Sequence, residues 1–105
     1  MSGGSVLAAA EEPRSVVGRI RGLLGRDGLD GALVLRPCKN VHTAGMRFAI
    51  DVAFCDRHGI VLRTCTLRPW RVSPLVTRST MVIEAQAGAF ERWGLKIGDR
   101  IEVRE

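Results

Sequence analysis

The stretch RFAIDVAFC, residues 47–55, decides the fold class, because its large apolar side chains recur at every second position. A β-strand points successive side chains to opposite faces, so this period of two indicates a strand with one face in a hydrophobic core. One acidic residue, Asp51, lies in the middle of the strand, on the face opposite the large side chains. The alternating positions that we predict to be core are Phe48, Ile50, Val52 and Phe54.

A β-hairpin follows this strand. The turn residues DRHG precede the sequence IVLRTCTL at residues 60–67, which is rich in β-branched side chains. A three-residue loop with Gly59 in the left-handed conformation would close the turn. Counting pairs back from it places Arg63 diagonal to Asp51, within reach of an ion pair. The predicted opposite pairs are Asp56 with Ile60, Cys55 with Val61, Phe54 with Leu62, Ala53 with Arg63 and Asp51 with Cys65, and Leu62 is the fifth predicted core residue.

The rest of the chain predicts short elements around this hairpin. Apolar residues at helical spacing predict a helix over residues 14–24, which Gly18 and Gly22 weaken. We predict an N-terminal arm at residues 1–12 and a single β-rich domain at residues 13–105. The fold class is mostly β (α+β), a small barrel-like curled antiparallel sheet with one N-terminal helix and a short helical turn near the C-terminus. The other predicted elements are a strand-like piece at residues 5–8, strands at residues 32–36, 81–88 and 100–103, and the helical turn at residues 89–95.

Composition is that of a globular protein. At 105 residues, the chain is long enough for one domain with a modest core. Its 46% apolar and 26% charged residues argue against disorder. No apolar run approaches the roughly 20 residues of a membrane span, and residues 1–12 lack the basic and apolar regions of a signal peptide. We therefore expect a cytoplasmic protein without a membrane span.

The cysteines predict neither a disulfide framework nor a metal site. Cys38, Cys55 and Cys65 lie 17 and 10 residues apart, with no CxxC pair or His/Cys cluster. The predicted hairpin register also holds Cys55 too far from Cys65 for a disulfide. We expect reduced thiols, no bound metal and no cofactor.

The net charge of +5 is concentrated in one segment. Residues 63–78 contain four arginines and no acidic residue, and such a segment attracts anionic partners, including nucleic acid. Proteins that bind single strands usually add an aromatic stacking platform, whereas this chain has no tyrosine. Nucleic-acid contact is therefore an alternative function, and its residues would be Arg63, Arg68, Arg71 and Arg78.

One combination of side chains could support catalysis. His42 as a base, Asp51 as an orienting carboxylate and Cys38 as a nucleophile have the chemistry of a triad. However, Cys38 and His42 lie in one loop, and no glycine-rich oxyanion turn flanks the cysteine. The alternative is structural: a buried carboxylate needs partners, and Arg63 or the amides of residues 42–45 could supply them to Asp51.

Glu84 raises the same question in the strand predicted at residues 81–88. Its candidate partners are Arg100 and Arg104. A metal site would be conceivable if Glu84 and Asp51 came together, but their spacing carries no ligand signature.

Four motifs occur in the order typical of a known family: GLLGR at residues 22–26, HTAGMRFAIDVAFCDRHGIV at 42–61, VIEAQAG at 82–88 and GLKIGD at 94–99. Over about residues 15–103 the chain resembles the bacterial and archaeal family called domain of unknown function 192. The resemblance implies a compact, β-rich, barrel-like fold with a helix packed on it. It implies no activity, because none is assigned to the family.

We interpret the chain as a small β-barrel domain that serves as a non-catalytic binding or accessory module for an unknown protein or an anionic partner. The alternative in the enzyme class is a small-molecule site or weak enzyme built from His42, Asp51 and Arg63. No residue is assigned to catalysis or to a metal. The candidate ligand-binding residues are His42, Thr43, Met46, Arg47, Asp51, Arg63, Trp70 and Arg71.

Overall fold

A computed structural model describes residues 10–11 and 32–102 of the chain. The predicted helix over residues 14–24 and the strand-like piece at residues 5–8 lie outside these residues. The elements are β1 (Ala10–Glu11), β2 (Ala32–Leu35), β3 (Ile50–Cys55), β4 (Val61–Leu67), β5 (Met81–Gln86) and α1 (Ala89–Trp93). The strand predicted at residues 100–103 is described as far as residue 102, with Arg100 in an isolated antiparallel bridge to Ile60.

The strands form one sheet in the order β1-β2-β5-β3-β4. Strand β1 is parallel to β2, and every other neighbouring pair is antiparallel. The mostly β, antiparallel class is therefore confirmed, and α1 is the helical turn predicted near the C-terminus. Barrel closure is not confirmed, because within the described residues β1 and β4 are the two open edges of the sheet.

Strand β3 is buried on both of its faces. The alternation predicted one core face, and the structure adds a second core on the other side. Ala53 and Cys55 belong to this second core, together with Ile83 and Phe90. Strand β3 pairs along both edges with β4 and β5, and its two faces contribute side chains to the two cores. The first core confirms four predicted core residues and contains Leu33, Leu35, Cys38, Val41, Met46, Phe48, Ile50, Val52, Phe54, Leu67 and Val82.

The hairpin turn forms as predicted, but the register beyond it does not. Gly59 has a φ of 83°, and the Asp56 N–H donates to the Ile60 carbonyl oxygen at 3.0 Å. A bulge then makes Leu62 an extra residue on β4, so Phe54 is opposite Arg63 and Asp51 is opposite Thr66. Leu62 is half-buried and belongs to neither core.

Hydrogen bonds to a distant part of the chain accompany the bulge. The Val61 N–H donates to the Asp99 carbonyl oxygen at 2.8 Å, and the Gly98 N–H donates to the Val61 carbonyl oxygen at 2.8 Å. These bonds draw the start of β4 toward the turn at residues 96–99. The register predicted from the local sequence alone is therefore wrong by one residue.

Candidate functional site

Two loops, residues 38–46 and 68–79, lie side by side and are joined at Thr43. The fully buried Thr43 hydroxyl donates to the Arg68 carbonyl oxygen at 2.6 Å and accepts the Arg71 N–H at 2.8 Å. Its backbone N–H donates to the Arg71 carbonyl oxygen at 2.8 Å, and its carbonyl oxygen accepts the Trp70 N–H at 3.0 Å. Thr43 therefore fixes the backbone of residues 68–71.

Further hydrogen bonds continue this pairing along the second loop. The Val41 N–H donates to the Ser73 hydroxyl at 2.9 Å, and the Ser73 N–H donates to the Val41 carbonyl oxygen at 2.8 Å. Lys39 Nζ donates to the carbonyl oxygens of Thr77 and Ser79, at 2.6 and 2.9 Å. The second loop is therefore held to the first along most of its length.

The second loop, which these hydrogen bonds hold in place, exposes large apolar side chains. Trp70 has a φ of 63° and a side chain that is 69% exposed. Val72 and Leu75 are 69% and 62% exposed, and Arg68 and Arg71 beside them are also exposed. We call these five residues the Trp70 surface.

Most of the predicted ligand-binding residues lie in these two loops or next to them, whereas Asp51 and Arg63 lie on strands. His42 is exposed, and Val72 of the Trp70 surface pairs with it in an isolated bridge. Arg47 is exposed, whereas Met46 is buried in the first core. Sequence reasoning missed Val72 and Leu75, because an apolar residue carries no signal of its own exposure.

Asp51 lies outside these two loops, on β3, where its side chain connects β3 and β4 to the start of α1. Its Oδ1 accepts a hydrogen bond from Thr66 Oγ1 at 2.7 Å. Its Oδ2 accepts the backbone N–H groups of Gly88 at 2.9 Å and Phe90 at 3.2 Å. The prediction that Asp51 has hydrogen-bond partners is confirmed, but its predicted partners, Arg63 and the amides of residues 42–45, are wrong. The bulge brings Thr66 opposite Asp51, and the carboxylate faces α1.

Comparison with known proteins shows the family. The sequence profile of DUF192, described as "Uncharacterized ACR", matches residues 3–103. The chain belongs to the DUF192 family.

Two archaeal proteins have similar sequences. A UPF0127 protein of Pyrococcus furiosus is 33% identical over 63 residues, which are 60% of this chain and 54% of the relative. A UPF0127 protein of Pyrococcus abyssi is 34% identical over 62 residues, 59% of this chain and 53% of the relative. The matched part of the DUF192 chain thus spans about half the length of these relatives.

Two crystal structures share the fold. A protein of unknown function from Novosphingobium aromaticivorans has a TM-score of 0.76 at 19% identity, covering 90% of this chain and 74% of that one. A Sinorhizobium meliloti protein, provisionally described as a transcription regulator, has a TM-score of 0.72 at 20% identity, covering 87% and 78%. At these identities the likeness shows the fold alone.

Three of the quoted DUF192 motifs meet in space. Asp51, in the first of them, binds the N–H of Gly88, which ends VIEAQAG. Val61, where the first motif ends, bonds to the Asp99 carbonyl oxygen in GLKIGD. Asp99 Oδ2 accepts the Lys96 N–H at 2.9 Å and closes that turn. In this chain the motif residues therefore hold the fold together.

Glu84 faces the opposite side of the sheet from Asp51. It is opposite Val52 on β3 and Leu33 on β2, both of which belong to the first core. Burial raises the pKa of the Glu84 carboxyl to about 7, and no described residue offsets this effect. The predicted ion pair with Arg100 is not formed, and Arg104 lies outside the described residues.

Two of the three cysteine thiols, Cys55 and Cys65, have raised pKa values and are therefore poor nucleophiles. Burial, with a smaller contribution from the charge of Asp56, raises the pKa of the Cys55 thiol to about 12. Burial also raises the pKa of Cys65. The Cys38 thiol donates to the Asn40 carbonyl oxygen at 3.1 Å.

Among residues 10–11 and 32–102, no three His, Cys, Asp or Glu side chains are placed to hold a metal ion. Asp51 and Glu84 face opposite sides of the sheet, so they do not form the metal site considered from the sequence. The helix in the same described part of the chain is too short to cross a membrane.

Proposed function

We propose that this DUF192 chain is a non-catalytic cytoplasmic binding module that recognises an acidic protein segment through the Trp70 surface. The observation that carries the proposal is the conformation of Trp70. A non-glycine residue in the left-handed region costs about 1–2 kcal/mol. Here that conformation is combined with a side chain that is 69% exposed.

Strain of this kind persists only where surrounding contacts impose it, and it is concentrated at functional sites. The surrounding contacts are the hydrogen bonds from Thr43 to the Trp70 and Arg71 backbone. They present the indole ring without adding it to either core. Exposed tryptophan and arginine side chains are the residues that most often dominate binding energy at protein interfaces.

The charge around Trp70 supports an acidic partner. Residues 57–83 contain five arginines and no Asp or Glu. Arg68 and Arg71 are exposed beside Trp70, Val72 and Leu75. A partner that places apolar side chains on Trp70 and carboxylates on the arginines would be complementary in both shape and charge.

Three observations favour binding over catalysis. Both Asp51 carboxylate oxygens are occupied by structural hydrogen bonds. The pKa of Cys55 is about 12, so this thiol does not ionise near neutral pH. His42 Nδ1 accepts the Ala44 N–H at 3.4 Å, a local loop contact.

The test uses a short fluorescein-labelled peptide in which Glu alternates with Leu and Phe, followed by fluorescence anisotropy. Asn tolerates the left-handed region better than most residues, so Trp70→Asn should fold normally and lower peptide affinity by about tenfold or more. The matched control is Ile97→Asn, which removes another exposed apolar side chain, 64% exposed, outside the Trp70 surface. Equal losses for both variants, or equal affinity for a peptide with Lys in place of Glu, would contradict the proposal.

Two further measurements separate other partners from a protein segment. If oligothymidine binds more tightly than the peptide, with a logarithmic salt slope near −3, about four phosphates are bound and the nucleic-acid alternative replaces the proposal. If sedimentation shows a dimer that Trp70→Asn dissociates, the partner is a second copy of this chain.

A further inference from the structure

A cleft lies at the end of the sheet where β3 turns into β4, whereas Trp70 follows the other end of β4. We propose that this cleft binds the phosphate group of a small phosphorylated molecule. Its volume is about 350 Å³, at the small end of the range for ligand sites in proteins. The basic lining residues are Arg36, Arg57, His58 and Arg100.

These four residues come from three separate parts of the chain. Arg36 directly follows β2, and Arg57 and His58 form the β3–β4 turn. Arg100 is brought there by its backbone bridge to Ile60. Only the tertiary fold brings these basic residues together. A run of charge along one exposed segment, by contrast, needs no tertiary fold.

Backbone contacts fix the floor of the cleft. The Ile101 N–H donates to the Gly59 carbonyl oxygen at 2.8 Å. At Gly59, a Cβ atom would lie 2.4 Å from the Ile101 carbonyl oxygen, so only glycine allows this approach. The turn that carries Arg57 and His58 is thereby held against the segment that carries Arg100.

Two carboxylates also line the cleft, and Asp56 is already engaged. Its Oδ1 accepts the N–H groups of His58 at 2.8 Å and Ile60 at 3.0 Å. The Ile60 hydrogen bond is the largest cause of the lowered pKa of Asp56, and the charges of His58 and Arg78 contribute as well. Glu102 is exposed at the rim.

The basic groups that line the cleft are placed to share a ligand. Arg57 Nε donates to His58 Nε2 at 3.3 Å, which holds the guanidinium beside the imidazole. Among the described residues, Arg57 and Arg100 form no ion pair with Asp56 or Glu102. A guanidinium offers a planar pair of N–H donors that matches two phosphate oxygens. Separate guanidinium groups from Arg57 and Arg100 could therefore contact different oxygens of one tetrahedral group.

The experiment titrates the ¹⁵N-labelled full chain with glycerol 3-phosphate and with inorganic phosphate, and follows the backbone amides of His58 and Gly59. Sodium chloride at matched ionic strength corrects for general screening. We expect saturating shifts confined to the cleft. Loss of a charge-assisted hydrogen bond should lower affinity by about tenfold or more in Arg57→Gln and in Arg100→Gln. Arg92→Gln, on α1 outside the cleft, should change affinity less than about twofold.

Several outcomes would overturn the proposal. Shifts no larger than those with chloride, or an equal loss in Arg92→Gln, would mean that the response is nonspecific. Tighter binding of oligothymidine than of glycerol 3-phosphate would identify a nucleic-acid backbone as the ligand. Amide spectra outside the cleft report whether each variant is folded, and Arg57→Lys and Arg100→Lys, which keep the charge, should retain part of the affinity.

Discussion

Glu84→Gln tests whether a carboxyl group is buried in the first core. The Glu84 side chain is 4% exposed, and its pKa is raised from 4.5 to about 7 by burial. The native state therefore holds the proton to higher pH than the unfolded chain does. The contribution of Glu84 to stability is greatest below pH 4.5 and falls as the pH rises to about 7, above which Glu84 is ionised in both states.

The size of this effect follows from the two pKa values. Each pH unit within the window is worth about 1.4 kcal/mol. Between pH 5 and pH 8, ionisation of Glu84 should therefore lower the free energy of unfolding by about 2–3 kcal/mol. Glutamine has nearly the same shape and does not titrate, so Glu84→Gln should remove this component of the pH dependence.

Urea denaturation followed by tryptophan fluorescence, for wild type and variant at a series of pH values, measures the difference. Other titrating groups cancel when the two curves are subtracted. The matched control is Glu91→Gln, because Glu91 is an exposed glutamate on α1. If the wild-type and Glu84→Gln curves stay parallel within about 0.5 kcal/mol from pH 5 to pH 8, Glu84 does not titrate as a buried group, and its placement in the first core is refuted.

Three further substitutions test the fold by the same urea assay. Phe54→Ala should lower the free energy of unfolding by about 3–5 kcal/mol, because Phe54 is fully buried in the first core; an unchanged midpoint would mean that its side chain is not buried. Asp51→Asn should lower it by about 1–3 kcal/mol through weakened hydrogen bonds to Thr66 and the start of α1; unchanged stability with loss of an identified ligand would instead make Asp51 a binding residue. Trp70→Asn should leave stability unchanged or raise it by up to about 1 kcal/mol, because strain is relieved at an exposed position; a loss above about 1 kcal/mol would show that the indole packs.

The elements that sequence analysis predicted correctly are those determined by near neighbours. The alternation in β3 predicted the first core because the strand period is a local property. The turn at Gly59 formed for the same reason, since its loop length and glycine select the conformation. The turn at residues 96–99 is also local, because the Asp99 side chain closes it by accepting the Lys96 N–H three residues away.

The features that were mispredicted depend on distant contacts. The bulge at Leu62 directly follows Val61, which hydrogen-bonds to residues 98–99. Two of the Asp51 partners, Gly88 and Phe90, lie 37 and 39 residues further along the chain. No local pattern encodes such partners. A one-residue change of register also exchanges every neighbour on the strand, so an error in register became an error in the expected site.

Asp51 and Glu84 show why a carboxylate in a strand does not by itself identify a site. Each lies mid-strand among apolar residues, and they occupy adjacent pairs between β3 and β5. The side-chain period sends Asp51 toward the N–H groups at the start of α1 and Glu84 toward Val52 and Leu33. The first carboxylate therefore connects β3 and β4 to α1 through its hydrogen bonds, whereas ionisation of the second weakens the fold. Because each is accounted for by its position in the scaffold, a search for function is better directed to the Trp70 surface and the arginine-lined cleft, whose exposed groups neither core explains.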